Sequence, residues 1–122
     1  MNEGITPEEW SFPALFVQAG THDPDIVMSR FDFAYDGTQS LFLSLSGVDV
    51  PLLESIDANE ARIESEGVDQ LSYTAPGSEH TLVRKDEFYD MEVNGALLVD
   101  WVADLVDGEP VEDVRCEDCE AP

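Results

Sequence analysis

The run DPDIVMSRFDFAY, residues 23–35, is rich in β-branched and aromatic side chains and follows a loop-forming HDP. It reads as a strand over residues 26–35. Its apolar positions do not alternate strictly, so neither face is left to water. A strand covered on both faces belongs to a parallel sheet with helices above and below, rather than to a half-solvated antiparallel one. A chain that contains it has to supply those helices.

Candidate helices surround it. TPEEWSFPALFVQAG, residues 6–20, carries Thr6 as a cap, Pro7 in the first turn and Glu9 three residues after the cap. Pro13 is placed to split this segment, and Gly20 to end it. DANEARIESEGVDQL, residues 57–71, reads as a solvated surface helix anchored by Ala61 and Ile63, whereas VDVPLLESI before it carries Pro51 and looks irregular. LSYTAPGSEHTLVRK, residues 71–85, gives a short strand, a Pro-Gly turn and a second apolar stretch. NGALLVDWVADLVDG, residues 94–108, is the clearest helix. Asp100, Asp104 and Asp107 share one face, Leu97, Leu98, Trp101, Val102 and Leu105 fill the rest, and Gly108 and Pro110 stop it. Strands alternating with helices indicate an α/β layered fold. Two clear strands are too few for a doubly wound sheet, so the chain reads as part of a larger one. Residues 1–115 form the domain part and residues 116–122 an acidic, cysteine-containing tail.

Charge excludes several partners. With 28 acidic and 5 basic residues the formal net charge is −23. Nucleic acid and anionic membrane both need a basic surface, so neither is an expected partner. The carboxylates repel one another in dilute buffer, and salt screens them with a Debye length of about 3 Å at about 1 M. A salt-rich habitat fits such a chain, as does secretion of an acidic protein. No apolar run is long enough to span a bilayer. The opening MNEGITPEEW is acidic and polar, unlike a signal peptide; the chain is cytosolic, or its true N-terminus lies elsewhere. Only His22 and His80 could join Cys116 and Cys119 of RCEDCEAP in a four-ligand zinc site, which makes that reading weak, and the pair does not open a helix as a redox pair would. A structural disulfide, to each other or to cysteines outside the chain, fits better. No EF-hand loop is present, and neither a metal nor a cofactor is expected.

The stretch FAYDGTQSLFL, residues 33–43, admits two readings. Asp-Gly between apolar runs is a hairpin signal, with Phe31, Phe33 and Tyr35 alternating before it and Leu41, Leu43 and Leu45 after it. Alternatively the strand ends at Tyr35, and Asp36 stands at its carboxyl end, placed to orient a histidine. His80, in PGSEHTLV, follows a turn, either as an exposed loop histidine or as a functional one held by the scaffold. His22, flanked by acids, reads as solvated. No Gly-x-Ser-x-Gly elbow occurs, and Ser40, Ser44, Ser46, Ser72 and Ser78 lack the flanking glycines.

Taken in order, FAYDGTQSLF, GSEHTLV and EFYDMEVNGALLVDWVADLVDG resemble the C-terminal part of the pectin acetylesterase and Notum family of α/β-hydrolase-fold carboxylesterases. The resemblance covers residues 10–110. It implies a partial α/β-hydrolase-like sheet containing only the C-terminal strands and helices. Asp36 would be the triad acid, Gln39 its companion and His80 the general base, in the order that this fold uses. The hairpin is then rejected, and Leu41, Phe42 and Leu45 pack as one helical face. The nucleophile serine and the oxyanion loop would come from a missing N-terminal half or a partner chain, the substrate would be a carbohydrate acetyl ester or an acyl ester, and the full-length protein would be extracellular. The rival reading is a non-catalytic acidic binding or interaction domain on the same scaffold.

Overall fold

The structure is a computed structural model that describes residues 11–119. Thr6, Pro7 and Glu9, expected to open the first helix, lie outside the described residues. Helix α1 (Phe12–His22) starts instead from Ser11, whose side chain accepts from the Ala14 N–H at 3.3 Å. Pro13 does not split it. In the first turn a proline forfeits no intrahelical hydrogen bond.

Strand β1 (Met28–Phe33) is followed by α2 (Gly37–Leu45), α3 (Leu52–Ser65) and β2 (Gln70–Ala75). The short α4 (Glu87–Asp90), the ribbon of β3 (Glu92–Val93) and β4 (Ala96–Leu97), α5 (Leu98–Asp107) and β5 (Val114–Arg115) complete the order. The fold is mixed α/β, with a small parallel sheet of three strands in the order β1-β2-β5. β1 and β2 pair in register from Met28 opposite Gln70 to Phe33 opposite Ala75.

Side-chain parity divides the sheet into two faces. On one face of β2 stands Tyr73, fully buried, with its ring 5.6 Å from that of Trp101 in α5. Phe33, Leu82, Val93, Leu98 and Val114 join this core. On the other face Ser72 bonds to Glu60 of α3, and Asp32 of β1 bonds to Gln39 of α2. The helices therefore lie on both faces, as a parallel sheet requires.

Several expectations are corrected. Gly20 does not end α1, which runs to His22. A Cβ at Gly20 would meet Val68 Cγ1 at 2.5 Å, so this glycine permits the close approach of α1 to the chain entering β2. The stretch 48–56 is not irregular throughout, because α3 begins directly after Pro51. Its anchors are Leu52, Ile56 and Ile63, and Ala61 is exposed. The segment 57–71 is not one helix either, since α3 ends at Ser65 and Gly67 (φ 85°) turns the chain into β2. Residues 94–97 are not helical. Asn94 (φ 52°) and Gly95 (φ 81°) form the tight turn between β3 and β4, and α5 starts only at Leu98. Leu41, Phe42 and Leu45 do not pack as one buried face of α2; they are 56%, 62% and 72% exposed.

The two cysteines form a disulfide with each other. Cys116 is buried in the core, its N–H donates to the Thr74 carbonyl at 3.1 Å, and the Tyr35 hydroxyl donates to the Cys119 carbonyl. The acidic segment after β5 is thus fastened across the ends of β2 and β1. Among the described residues, no helix is long and apolar enough to cross a membrane.

Candidate active site

Asp36 follows the carboxyl end of β1 and is the N-cap of α2. There is no hairpin at Asp36-Gly37. A short polar side chain suits a cap because it satisfies N–H groups that the first turn cannot pair internally. Asp36 Oδ1 accepts from the Thr38 N–H at 2.9 Å and the Gln39 N–H at 3.0 Å. His80 lies five residues beyond the end of β2, a strand parallel to β1.

The two loops remain zipped together past their strands. Ala34 N–H donates to Ala75 O at 2.8 Å, Tyr35 N–H to Gly77 O at 2.9 Å, and Gly37 N–H to Ser78 O at 3.1 Å. Gly77 makes this possible. Its φ is 128°, and a Cβ there would stand 3.2 Å from the Phe33 ring. Continued pairing carries both loops to the same edge of the sheet, where Asp36 Oδ2 and His80 Nδ1 are 2.8 Å apart.

The environment of the pair is asymmetric. Asp36 is 1% exposed, while the His80 side chain is 52% exposed. Burial alone would raise the Asp36 pKa. The Gln39 backbone N–H, the His80 side chain and the Gln39 side chain together outweigh it, so the net shift is downward. Asp36 is therefore an ionised acceptor near neutral pH, and His80 Nδ1 is the donor. With Nδ1 protonated, neutral His80 presents the lone pair of Nε2 away from Asp36, as a general base must.

A wider network supports the carboxylate. The Gln39 amide donates at 3.1 Å to both Asp36 Oδ2 and Asp32 Oδ1, and Arg30 Nε donates to Asp32 Oδ2 at 2.8 Å. Each Asp36 oxygen thus has two N–H partners, so the buried charge is fully satisfied. The same bonds leave Asp36 no free oxygen for a metal ion. Arg30 and Asp32 escaped the sequence reading. Their signal was there, because charges at i and i+2 inside an apolar strand share a face and must be paired if buried. His22 ends α1 and is exposed, outside this network.

The arrangement can orient an imidazole, hold its tautomer and stabilise its protonated form. Compared with family models, curated proteins and solved structures, the chain matches none.

Proposed function

We propose that the chain supplies the acid and base of a serine carboxylesterase, as the C-terminal portion of an enzyme resembling pectin acetylesterase and Notum. The 2.8 Å contact between Asp36 Oδ2 and His80 Nδ1 carries this reading. The two residues are 44 positions apart in sequence, yet they meet outside the carboxyl ends of adjacent parallel strands, where open α/β sheets place their sites. Gln39 stands beside Asp36, as the resemblance implies.

In the complete enzyme, His80 Nε2 takes the proton of a serine hydroxyl as its oxygen attacks the ester carbonyl. The same nitrogen then protonates the departing alcohol, leaving an acyl-serine. His80 next removes a proton from water, the hydroxide attacks the acyl carbonyl, and the proton returns to the serine. Asp36 stays ionised throughout and holds Nδ1–H. The serine and oxyanion donors belong to another part of the polypeptide or to a partner chain. Two observations support a covering partner. Among the described residues, β1 pairs only with β2, leaving one edge free, and α2 has no buried residue.

The test joins the chain to the polypeptide encoded immediately upstream of it and measures hydrolysis of acetylated sugars and p-nitrophenyl esters. Turnover is expected for the joined protein and not for the isolated chain. His80→Ala should lower kcat by about 10³-fold or more, and Asp36→Asn by a comparable factor. Turnover that survives His80→Ala sinks the reading, and the Asp36–His80 contact is then a loop anchor on an acidic interaction domain.

A further inference from the structure

The disulfide lies at the same ends of β1 and β2 as the Asp36–His80 pair. Cys116 is fixed in the core, where its N–H donates to the Thr74 carbonyl at 3.1 Å and its own carbonyl accepts from Arg115 Nη1 at 3.3 Å. Cys119, three residues on, is bonded to it through sulfur and is only partly buried. The Cys119 carbonyl accepts from the hydroxyl of Tyr35. Tyr35 immediately precedes Asp36, and its N–H donates to the carbonyl of Gly77, three residues before His80. One phenol thus connects the disulfide loop to the backbone zipper that brings the pair together.

This placement separates what the disulfide holds from what the fold needs. A cross-link stabilises a chain more when the loop it closes is long, and this one spans a sequence separation of only 3. Cys116 has its burial and two backbone bonds besides the sulfur bond. For Cys119, the sulfur bond is what brings its carbonyl back to Tyr35. The two sulfurs also differ in access. Cys116 is 4% exposed, whereas Cys119 follows Glu117 and Asp118, both at the surface. Attack by an external thiolate is therefore directed to Cys119.

We propose that Cys116–Cys119 is a thiol–disulfide site, reducible by a dithiol, that latches Tyr35 and so sets how firmly Asp36 and His80 are held together. One thiolate of the dithiol attacks Cys119 Sγ, the bond between the two cysteines breaks, and Cys116 leaves as a thiolate that takes a proton. The dithiol's second thiolate then attacks its own sulfur in the mixed disulfide. That step closes a cyclic disulfide and releases Cys119, which also takes a proton. Two electrons and two protons pass from the dithiol to the cysteines. Freed from Cys116, Cys119 carries its carbonyl away, and the Tyr35 hydroxyl exchanges this acceptor for water. The zipper between residues 34–37 and 75–78 then opens more often, as a local unit with its own opening free energy. This inference does not depend on the esterase reading, because it concerns the edge that holds the pair and not what the pair does.

The test is amide hydrogen exchange, read by NMR on the 122-residue chain in about 1 M KCl, before and after reduction by dithiothreitol. This dithiol carries no charge, so the acidic loop does not repel it. Reduction should speed exchange at Tyr35 and Gly37 about three- to tenfold, the worth of one hydrogen bond. The α3 amides around Ile63 should keep their rates, and the fraction of neutral His80 with its proton on Nδ1 should fall. Tyr35→Phe in the oxidised chain should give the same acceleration, and reduction should then add less than about twofold, since both changes remove one contact. Zipper amides or a His80 tautomer indifferent to reduction overturn the proposal. Equal acceleration in α3 also overturns it and makes the disulfide a global staple. So does a Tyr35→Phe chain with unchanged zipper rates, or a disulfide that resists dithiothreitol in the folded chain.

Discussion

Asp36 has two structural roles: its Oδ1 caps α2 and its Oδ2 orients His80. Removing it deletes both sets of bonds and leaves donors of the first helical turn unpaired. Asp36→Ala should therefore destabilise the chain by about 1–3 kcal/mol near neutral pH. The pH dependence follows from the direction of its shift. Because the folded pKa lies below the ordinary 3.8, the contribution is fully present above that ordinary value. It is lost as pH falls through the lowered folded value. Urea unfolding should therefore show a gap between wild type and Asp36→Ala that is full at about pH 6 and shrinks at about pH 2–3. A gap that does not change over this range contradicts the ionised, hydrogen-bonded Asp36.

At the scale of elements, α3 and α2 differ sharply in what they bury. Ile63 is 1% exposed in α3, and Ile63→Ala should cost about 2–5 kcal/mol through lost burial and a cavity. Leu45 in α2 is 72% exposed, so Leu45→Gln should stay within about 0.5 kcal/mol in the isolated chain. Thermal unfolding of both variants checks this, and a Leu45→Gln loss as large as that of Ile63→Ala would mean that α2 packs inward. The elements also show what was legible in the sequence. The aromatic run of β1, whose apolar positions do not alternate strictly, pointed to helices on both sides of a parallel sheet. Asp-Gly at 36–37 and Asn-Gly at 94–95 carry the same local turn signal, yet only the second forms a hairpin. The first is overridden because Asp36 caps α2 and the backbone past β1 stays paired with residues 75–78 of the chain leaving β2. β5 was invisible, since two residues held by one neighbour leave no periodic pattern. The meeting of Asp36 with His80 came from the resemblance, because neither residue type nor spacing selects one carboxylate among 28 acidic residues.

For the whole molecule, a formal charge of −23 opposes compaction, and among the described residues a three-stranded sheet with a free β1 edge gives a small core to resist it. Far-ultraviolet circular dichroism should show a gain of structure between low salt and about 1 M KCl, as the Debye length contracts to about 3 Å. An unchanged spectrum would mean that the core withstands the charge unaided. Once the sheet is formed, both members of the pair are held by neighbouring strands of this one chain, so the pair should exist without any partner. The most direct measurement is the tautomer of His80 in the isolated chain in molar salt, read from the two imidazole nitrogens by long-range proton–nitrogen NMR at a pH where the ring is neutral. A proton on Nδ1 and a bare Nε2 are expected, with this preference lost in Asp36→Asn. A proton on Nε2, or a preference that Asp36→Asn leaves untouched, would contradict the Asp36–His80 pairing.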